Sequence, residues 1–288
     1  MTPDTGFAMP AATRLGRIAL RVGSIDRLVP FYRDVVGLAV DRDGSTARLS
    51  AGGESLVVLS EDPDASARPT DAAGLFHLAV RVPSRGALGD ALARVDAAEA
   101  SLSGASDHLV SEALYLRDPE GNGVEISRDR PREAWTFTDD GRVEMDTLPL
   151  DLDDVAAAAT GRDRAPAGTD LGHVHLEVTS LDRARPFYVD ALGLNVRSEA
   201  YRGALFVAAG DYHHHIGLNT WNGRRAPADR SRGVEWFEFR LPDRATLDDL
   251  REHLDATPGY SPDHGDGEGD GFGVVDPDGI GVRFTVDS

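Results

Sequence analysis

A gapless internal repeat constrains this chain more than any single motif. Arg17–Leu38, RIALRVGSIDRLVPFYRDVVGL, aligns residue for residue with His173–Leu194, HVHLEVTSLDRARPFYVDALGL, keeping an Asp-Arg pair, a Phe-Tyr pair and a closing Gly-Leu. A second repeat places FHLAVRVPSRGALGDAL (Phe76–Leu92) beside EWFEFRLPDRATLDDL (Glu235–Leu250). A third sets RDPEGNGVEIS (Arg117–Ser127) beside VDPDGIGVRFT (Val275–Thr285). Repetition on this scale means one supersecondary unit used several times, so the architecture is fixed before any chemistry is considered.

Each unit opens with a strictly alternating strand. In His173–Val178 one face is Val174, Leu176 and Val178, and the other is His173, His175 and Glu177. A helix follows, as in Leu181–Ala191, with Leu181, Ala184, Phe187 and Tyr188 on one stripe, and Gly193 stops it. Short strands and glycine turns complete the unit. The expected fold is α+β: four βαβββ modules near residues 15–61, 75–128, 171–221 and 233–287, forming two open mixed β-barrel cups with helices packed outside. Residues 1–128 then hold modules one and two, and 171–288 hold modules three and four. The segment 129–170 links them and carries a short acidic helix, LPLDLDDVAAAAT, read as a solvated linker helix. The apolar face of each sheet packs its helix; the polar face lines a cup.

Composition removes several functions. The 30 basic residues are all arginine, so no Schiff-base lysine exists, and without cysteine there is no thiolate nucleophile, disulfide or zinc–sulfur site. A net charge of −19 argues against nucleic acid and against an anionic membrane surface. It also suggests a salt-adapted protein. No apolar run approaches the ~20 residues that span a bilayer, and the first residues, MTPDTGFAMPAATRLG, do not read as a signal peptide. A cytoplasmic protein is the default expectation, and a homo-oligomer is compatible with the sequence. The stretch SPDHGDGEGDGFG (Ser261–Gly273), with His264, lacks EF-hand spacing and reads as a hairpin loop.

Paired βαβββ modules with polar residues on first and last strands resemble the vicinal oxygen chelate superfamily. Two stretches, GASDHLVSEALYLRDPEGNGVEISRDRPREAW and GHVHLEV…HHHIGLNTW, resemble its two-domain catechol 2,3-dioxygenase-like members, and the resemblance covers nearly the whole chain. It implies metal ligands at the third residue of a first strand and in the last strand of paired modules. The first-strand positions are Arg17, His77, His173 and Trp236; the last-strand positions of modules two and four are Glu125 and Arg283. Module four has lost its ligands, and Gly273 stands there opposite Tyr115. Modules two and three together supply His77, His173 and Glu125, the two-imidazole, one-carboxylate set of non-haem ferrous oxygenases. The active cup is therefore expected between 75–128 and 171–221, within one chain or by exchange between subunits.

The resemblance also implies catalytic roles. In DHLVSEALYLRDPEGNGVE, residues His108, Tyr115, Asp118, Pro119, Gly121 and Glu125 match the extradiol signature, with Ser106 a mild departure. Tyr115 and His108 are expected to contact substrate. The acid–base histidine would lie three residues before the small residue Gly217, which selects His214. Strand alternation selects His215 instead, because Ile216 and Leu218 look core-facing. Both remain candidates, and a bulge at this point would reconcile them. His213 is expected to matter little. Asn219, Trp221 and His175 are expected near the substrate.

The expected activity is extradiol ring cleavage of an aromatic diol with O2, using iron(II); manganese(II) suits the same ligands. A glyoxalase-like isomerase or lyase is the second reading, though it calls for a carboxylate where this chain has a histidine. A non-catalytic binding protein is the third, though such relatives generally lack the ligand set.

Overall fold

A computed structural model describes residues 6–260, 262 and 271–287. Most of the Ser261–Gly273 stretch, including His264, and the first five residues lie outside the described residues. Module one comprises β1 (Arg14–Val22), α1 (Ile25–Pro30), β2 (Ala39–Asp43), β3 (Thr46–Ala51) and β4 (Glu54–Glu61). Module two comprises β5 (Gly74–Arg81), α2 (Arg85–Ala97), β6 (Gly104–Asp107), β7 (Ser111–Arg117) and β8 (Gly123–Asp129). The connecting segment contributes β9 (Leu148–Pro149) and α3 (Leu152–Ala157). Module three comprises β10 (Asp170–Glu177), α4 (Leu181–Arg185), β11 (Asn195–Ser198), β12 (Ala204–Ala208) and β13 (Ile216–Asn219). Module four shows β14 (Gly233–Leu241), α5 (Arg244–Ala256), β15 (Phe272–Val275) and β16 (Gly281–Val286), one strand fewer among the described residues than the repeat predicts.

These strands form two curled sheets. One has the order β15-β16-β14-β1-β4-β3-β2, and the other β11-β12-β13-β10-β5-β8-β7-β6-β9. The mixed α+β fold with two cups is thus as the repeat requires. In every module the first strand pairs parallel with the last. Modules then join edge to edge through antiparallel first strands, β1 with β14 and β5 with β10. The first sheet therefore contains modules four and one, and the second contains modules three and two.

Alternation explains which face is which. Val174, Leu176 and Val178 are fully buried against a helix whose Phe187 and Tyr188 are also fully buried. Each such side chain contributes roughly 1.5–3 kcal/mol of burial. The helices that follow β1 and β10 do not run as plain α-helices, however. Past Pro30 and Pro186 they continue as π-helical turns, Phe31–Val36 and Pro186–Ala191. Proline has no N–H to return and crowds the carbonyl four residues back, and a wider turn relieves this. The helix stop at Gly193 is steric as well as conformational. Its φ is +69°, and a Cβ there would lie 2.3 Å from the Phe7 carbonyl oxygen.

The repeated Phe-Tyr and Asp-Pro pairs meet each other. Tyr32 donates its hydroxyl to Asp118 Oδ2 at 3.1 Å, and Tyr188 donates to Asp276 Oδ2 at 2.8 Å. The Asp118 carboxylate also accepts from the backbone N–H groups of Glu120 and Asn122. This signature aspartate thus holds a turn and ties module one to module two; it does not line the cup.

The connecting segment differs from the solvated linker expected of it. Val155 of α3 is fully buried, and α3 packs closely on α2 where Gly89 leaves room: a Cβ at Gly89 would sit 2.5 Å from the Val155 carbonyl oxygen. β9 extends the second sheet beside β6.

Candidate functional site

Three side chains converge in the second cup. His77 lies on β5, Glu125 on β8 and His173 on β10, and all three are buried. His77 Nε2 and His173 Nε2 are 3.1 Å apart. Glu125 Oε2 is 3.1 Å from His77 Nε2 and 3.2 Å from His173 Nε2. Parallel pairing of β5 with β8 and antiparallel pairing of β5 with β10 bring these positions to one face. Among the described residues this is the one His/Asp/Glu group of three with ligand atoms close enough to hold a metal.

The triangle fits a divalent ion. An octahedral ion with bonds of about 2.1 Å holds neighbouring ligand atoms about 3.0 Å apart, close to the spacing here. Two further observations agree. Glu125 Oε1 is buried without a hydrogen-bond partner, although burying such an atom unpaired is costly. Burial opposes ionisation of Glu125, yet His173 and His77 beside it outweigh that and hold its carboxyl well below the usual range. Burial, helped by His77 and His213 nearby, outweighs the Glu125 carboxylate, lowers the pKa of His173 and favours the neutral imidazole that a metal requires.

His175 forms the wall next to the triangle. Its ring centroid is 5.0 Å from His77 and 5.1 Å from Phe76, and its Nε2 is buried and unpartnered. Burial, then His77 and His173, push its pKa well down. Room for this ring comes from Gly217, the register partner of His175 on β13, where a Cβ would meet the ring at 2.8 Å.

The three consecutive histidines are not in a strand, since β13 begins only at Ile216. Period-two alternation therefore does not govern them. His214 lines the pocket, its ring centroid 4.3 Å from His173 and 5.0 Å from Phe206. His215 does not line it, which corrects the alternation-based expectation. Its Nδ1 accepts the Ala209 N–H at 3.2 Å, its ring lies 4.7 Å from Tyr212, and burial, followed by His213 and Arg81 beside it, pushes its pKa down to about 3.

His213, expected to matter little, is fully buried and bridges two groups. Its Nε2 is 3.2 Å from Asp129 Oδ1, and its Nδ1 is 2.8 Å from His214 Nδ1. Asp129 Oδ2 also accepts from Arg81 and Tyr212. Burial disfavours the Asp129 carboxylate, but His213 and Arg81 more than compensate and keep it ionised. A carboxylate can only accept, so His213 Nε2 carries the proton of that bond.

A second pair faces the pocket from module two. His108 Nε2 is 2.6 Å from the Tyr115 hydroxyl, and His108 Nδ1 is 2.7 Å from the Asp146 carbonyl oxygen. The carbonyl requires Nδ1–H, so in the neutral ring Nε2 accepts and Tyr115 donates. Burial, then Glu125 nearby, raises the Tyr115 pKa well above its usual value, so the phenol keeps its proton.

The cavity bounded by these groups is about 200 Å³. Trp221 lines it, anchored by Nε1–H to the Arg202 carbonyl oxygen at 3.0 Å. Asn219 does not, which corrects another expectation. Its amide folds back on the backbone, donating to the Leu176 carbonyl oxygen and accepting the Trp221 N–H. Sequence reading missed Phe76, Phe206, Tyr201, Met145 and Thr147, all of which line the cavity. Phe206 is the register partner of Gly217, a relation readable once β12 and β13 are paired. Met145 and Thr147 come from the connecting segment, whose sequence has no period to signal them.

The first sheet has a cup too, but its chemistry is different. There Arg17 pairs with Glu238, and Arg283 lies 3.9 Å above the Trp236 ring.

The Glyoxalase/Bleomycin resistance protein/Dioxygenase superfamily model matches residues 14–126 and 170–284. A protein of Bacillus subtilis (strain 168) named catechol-2,3-dioxygenase is 38% identical over 283 residues, 95% of this chain and 98% of that one. Solved structures share the fold. One from Bacillus subtilis subsp. subtilis str. 168 has a TM-score of 0.65 at 16% identity, covering 98% of this chain and 86% of that chain. Glyoxalase I from Zea mays has a TM-score of 0.60 at 17% identity, covering 95% and 92%. No helix among the described residues is long and apolar enough to cross a membrane.

Proposed function

Because the chain belongs to the glyoxalase/bleomycin resistance protein/dioxygenase superfamily, we propose that it is a non-haem extradiol dioxygenase acting on a catechol-type aromatic diol with O2. The observation that carries this reading is the combination in one pocket of the His77–Glu125–His173 triangle with His214 and the His108–Tyr115 pair. Abstraction of a carbon-bound proton, the isomerase alternative, calls for a second carboxylate in the cup. Among the described lining residues Glu125 is the one carboxylate, and it belongs to the triangle.

His77, His173 and Glu125 would hold the ion, iron(II) in this reading, with manganese(II) suiting the same donors. When bound, the ion supplies the positive charge that lowers the pKa of the diol hydroxyls and the redox partner for dioxygen. The protein's own groups then handle protons and orientation. With Asp129 accepting from His213 Nε2, the neutral form of His213 would have a lone pair at Nδ1. His214 Nδ1–H donates to it, which leaves the His214 Nε2 lone pair to take a hydroxyl proton and later return it. His213 and Asp129 thus set the tautomer of His214. Tyr115, with its own proton committed to His108, offers oxygen lone pairs to a diol hydroxyl. Phe76, Phe206 and Trp221 pack against the aromatic ring and exclude water.

The test is oxygen uptake. Protein loaded anaerobically with iron(II) and mixed with catechol in aerated buffer should consume about one O2 per catechol and form a yellow ring-fission product. Metal-loaded protein that binds the diol without consuming O2 would sink the proposal, and protein that retains no metal would point to a binding module.

A further inference from the structure

The pocket joins a cluster of polar side chains to a largely apolar wall. Away from the histidines, Glu125 and Tyr115, its wall is made by Phe76, Val110, Met145, Tyr201, Phe206 and Trp221, with the hydroxyls of Ser106, Ser111 and Thr147. The chain carries 30 basic side chains, all arginine, yet none among the described residues lines this cavity. The other cup makes the contrast, since its lining includes Arg17 and Arg283. A ring carboxylate would meet no arginine here, only the anionic Glu125 and the hydroxyls of Ser106, Ser111 and Thr147, which can donate a hydrogen bond but do not neutralise its charge. Burying an unpaired charge in such a wall is strongly disfavoured, whereas an apolar substituent gains by leaving water.

One part of that wall does not come from the repeat. Met145 lies on the connecting segment, one residue before Asp146, whose carbonyl oxygen fixes His108. It packs on a small separate cluster of Val110, Trp135 and Val143, outside the main core. Its unbranched thioether can adapt to a substituent that the rigid strand residues cannot accommodate. Thr147, two residues on, lines the cavity from the same segment and is exposed.

We infer that the pocket selects uncharged diols with an apolar ring substituent and rejects carboxylated or sulfonated ones, with Met145 as a specificity-determining residue. This rests on the ring-cleavage reading above. It concerns binding, and so is measured apart from turnover.

The experiment is anaerobic calorimetry of the iron(II)-loaded protein with 4-methylcatechol, 3,4-dihydroxybenzamide and 3,4-dihydroxybenzoate. The amide and the acid have nearly the same shape, so their difference isolates charge. The expected result is that both neutral diols bind at least about 100-fold more tightly than the acid, about 2.7 kcal/mol. Met145→Arg, which adds a cation to the wall, should tighten the acid at least tenfold relative to the amide. Thr147→Arg does the same at an exposed position, should Met145→Arg fail to fold. Acid and amide binding equally to the parent protein would overturn the charge selection. Selectivity unchanged in folded arginine variants would overturn the assignment to this wall. Failure of all three diols to bind the metal-loaded protein would overturn the ring-cleavage reading itself.

Discussion

Gly217→Ala tests how tightly packing controls the metal site. The backbone of Gly217 is in a region open to any residue, so the substitution adds one methyl group and no φ strain. That methyl carbon would lie 2.8 Å from His175 Cδ2 and 2.9 Å from Cγ. Ordinary carbon contacts begin near 3.5 Å, so the ring must retreat by about 0.7 Å. It has little room, with Phe76, Phe206 and Trp221 ring centroids at 5.1, 5.5 and 5.4 Å and His77 at 5.0 Å. Overpacking of this kind costs about 1–3 kcal/mol, which lowers Tm by several degrees. Outer-shell changes that reorient a ligand cost about 10–100-fold in metal affinity, and a loss of that order is expected here if the displaced ring pushes on His77. Differential scanning fluorimetry and competitive iron(II) titration measure the two effects. A lowered Tm with unchanged metal affinity would refute the coupling between His175 and His77, and no change in either would refute the packing argument.

Other substitutions separate the roles. His77→Ala, His173→Ala and Glu125→Ala should each abolish metal retention measured by mass spectrometry of the purified protein, while Trp236→Ala and Arg283→Ala in the first cup should retain it. His214→Phe should keep metal and diol binding while lowering single-turnover rate by about 10²–10⁴. His213→Phe, which removes the acceptor for His214 Nδ1–H, should lower it by about 10–100-fold with the metal retained; a rate equal to that of the parent protein would remove His213 from the account. The 49 acidic residues against 30 basic ones repel one another at low ionic strength, so Tm should rise as potassium chloride is raised toward molar concentration. A Tm that stays flat or falls would end the salt-adapted reading.

The repeat made the architecture legible. The resemblance to the vicinal oxygen chelate superfamily points to the third residue of each first strand, where His77 and His173 stand while Arg17 and Trp236 do not suit a metal, and alternation turns Glu125 to the cup face because Val124 and Ile126 are apolar. The His213–His215 run was harder. Alternation assumes a strand, but the backbone turns there before β13 begins, so the periodic argument picks His215 while the structure lines the pocket with His214. Asn219 stays away from the cavity because a buried amide can satisfy the backbone around it as readily as a ligand. Met145 and Thr147 were invisible because they come from a connection held by tertiary contacts, such as the Asp146 carbonyl on His108, and not by any periodic pattern. The π-helical turns follow from Pro30 and Pro186, yet a helical stripe alone does not distinguish them from an α-helix.

In the proposed mechanism the cup built by β5, β8 and β10 holds the catalytic ion. Anomalous diffraction at the iron edge from crystals grown anaerobically with iron(II) tests it most directly. One strong peak is expected, bonded to His77 Nε2, His173 Nε2 and a Glu125 carboxylate oxygen. A peak in the first cup, near Arg17 and Trp236, or no peak within bonding distance of Glu125, would contradict it.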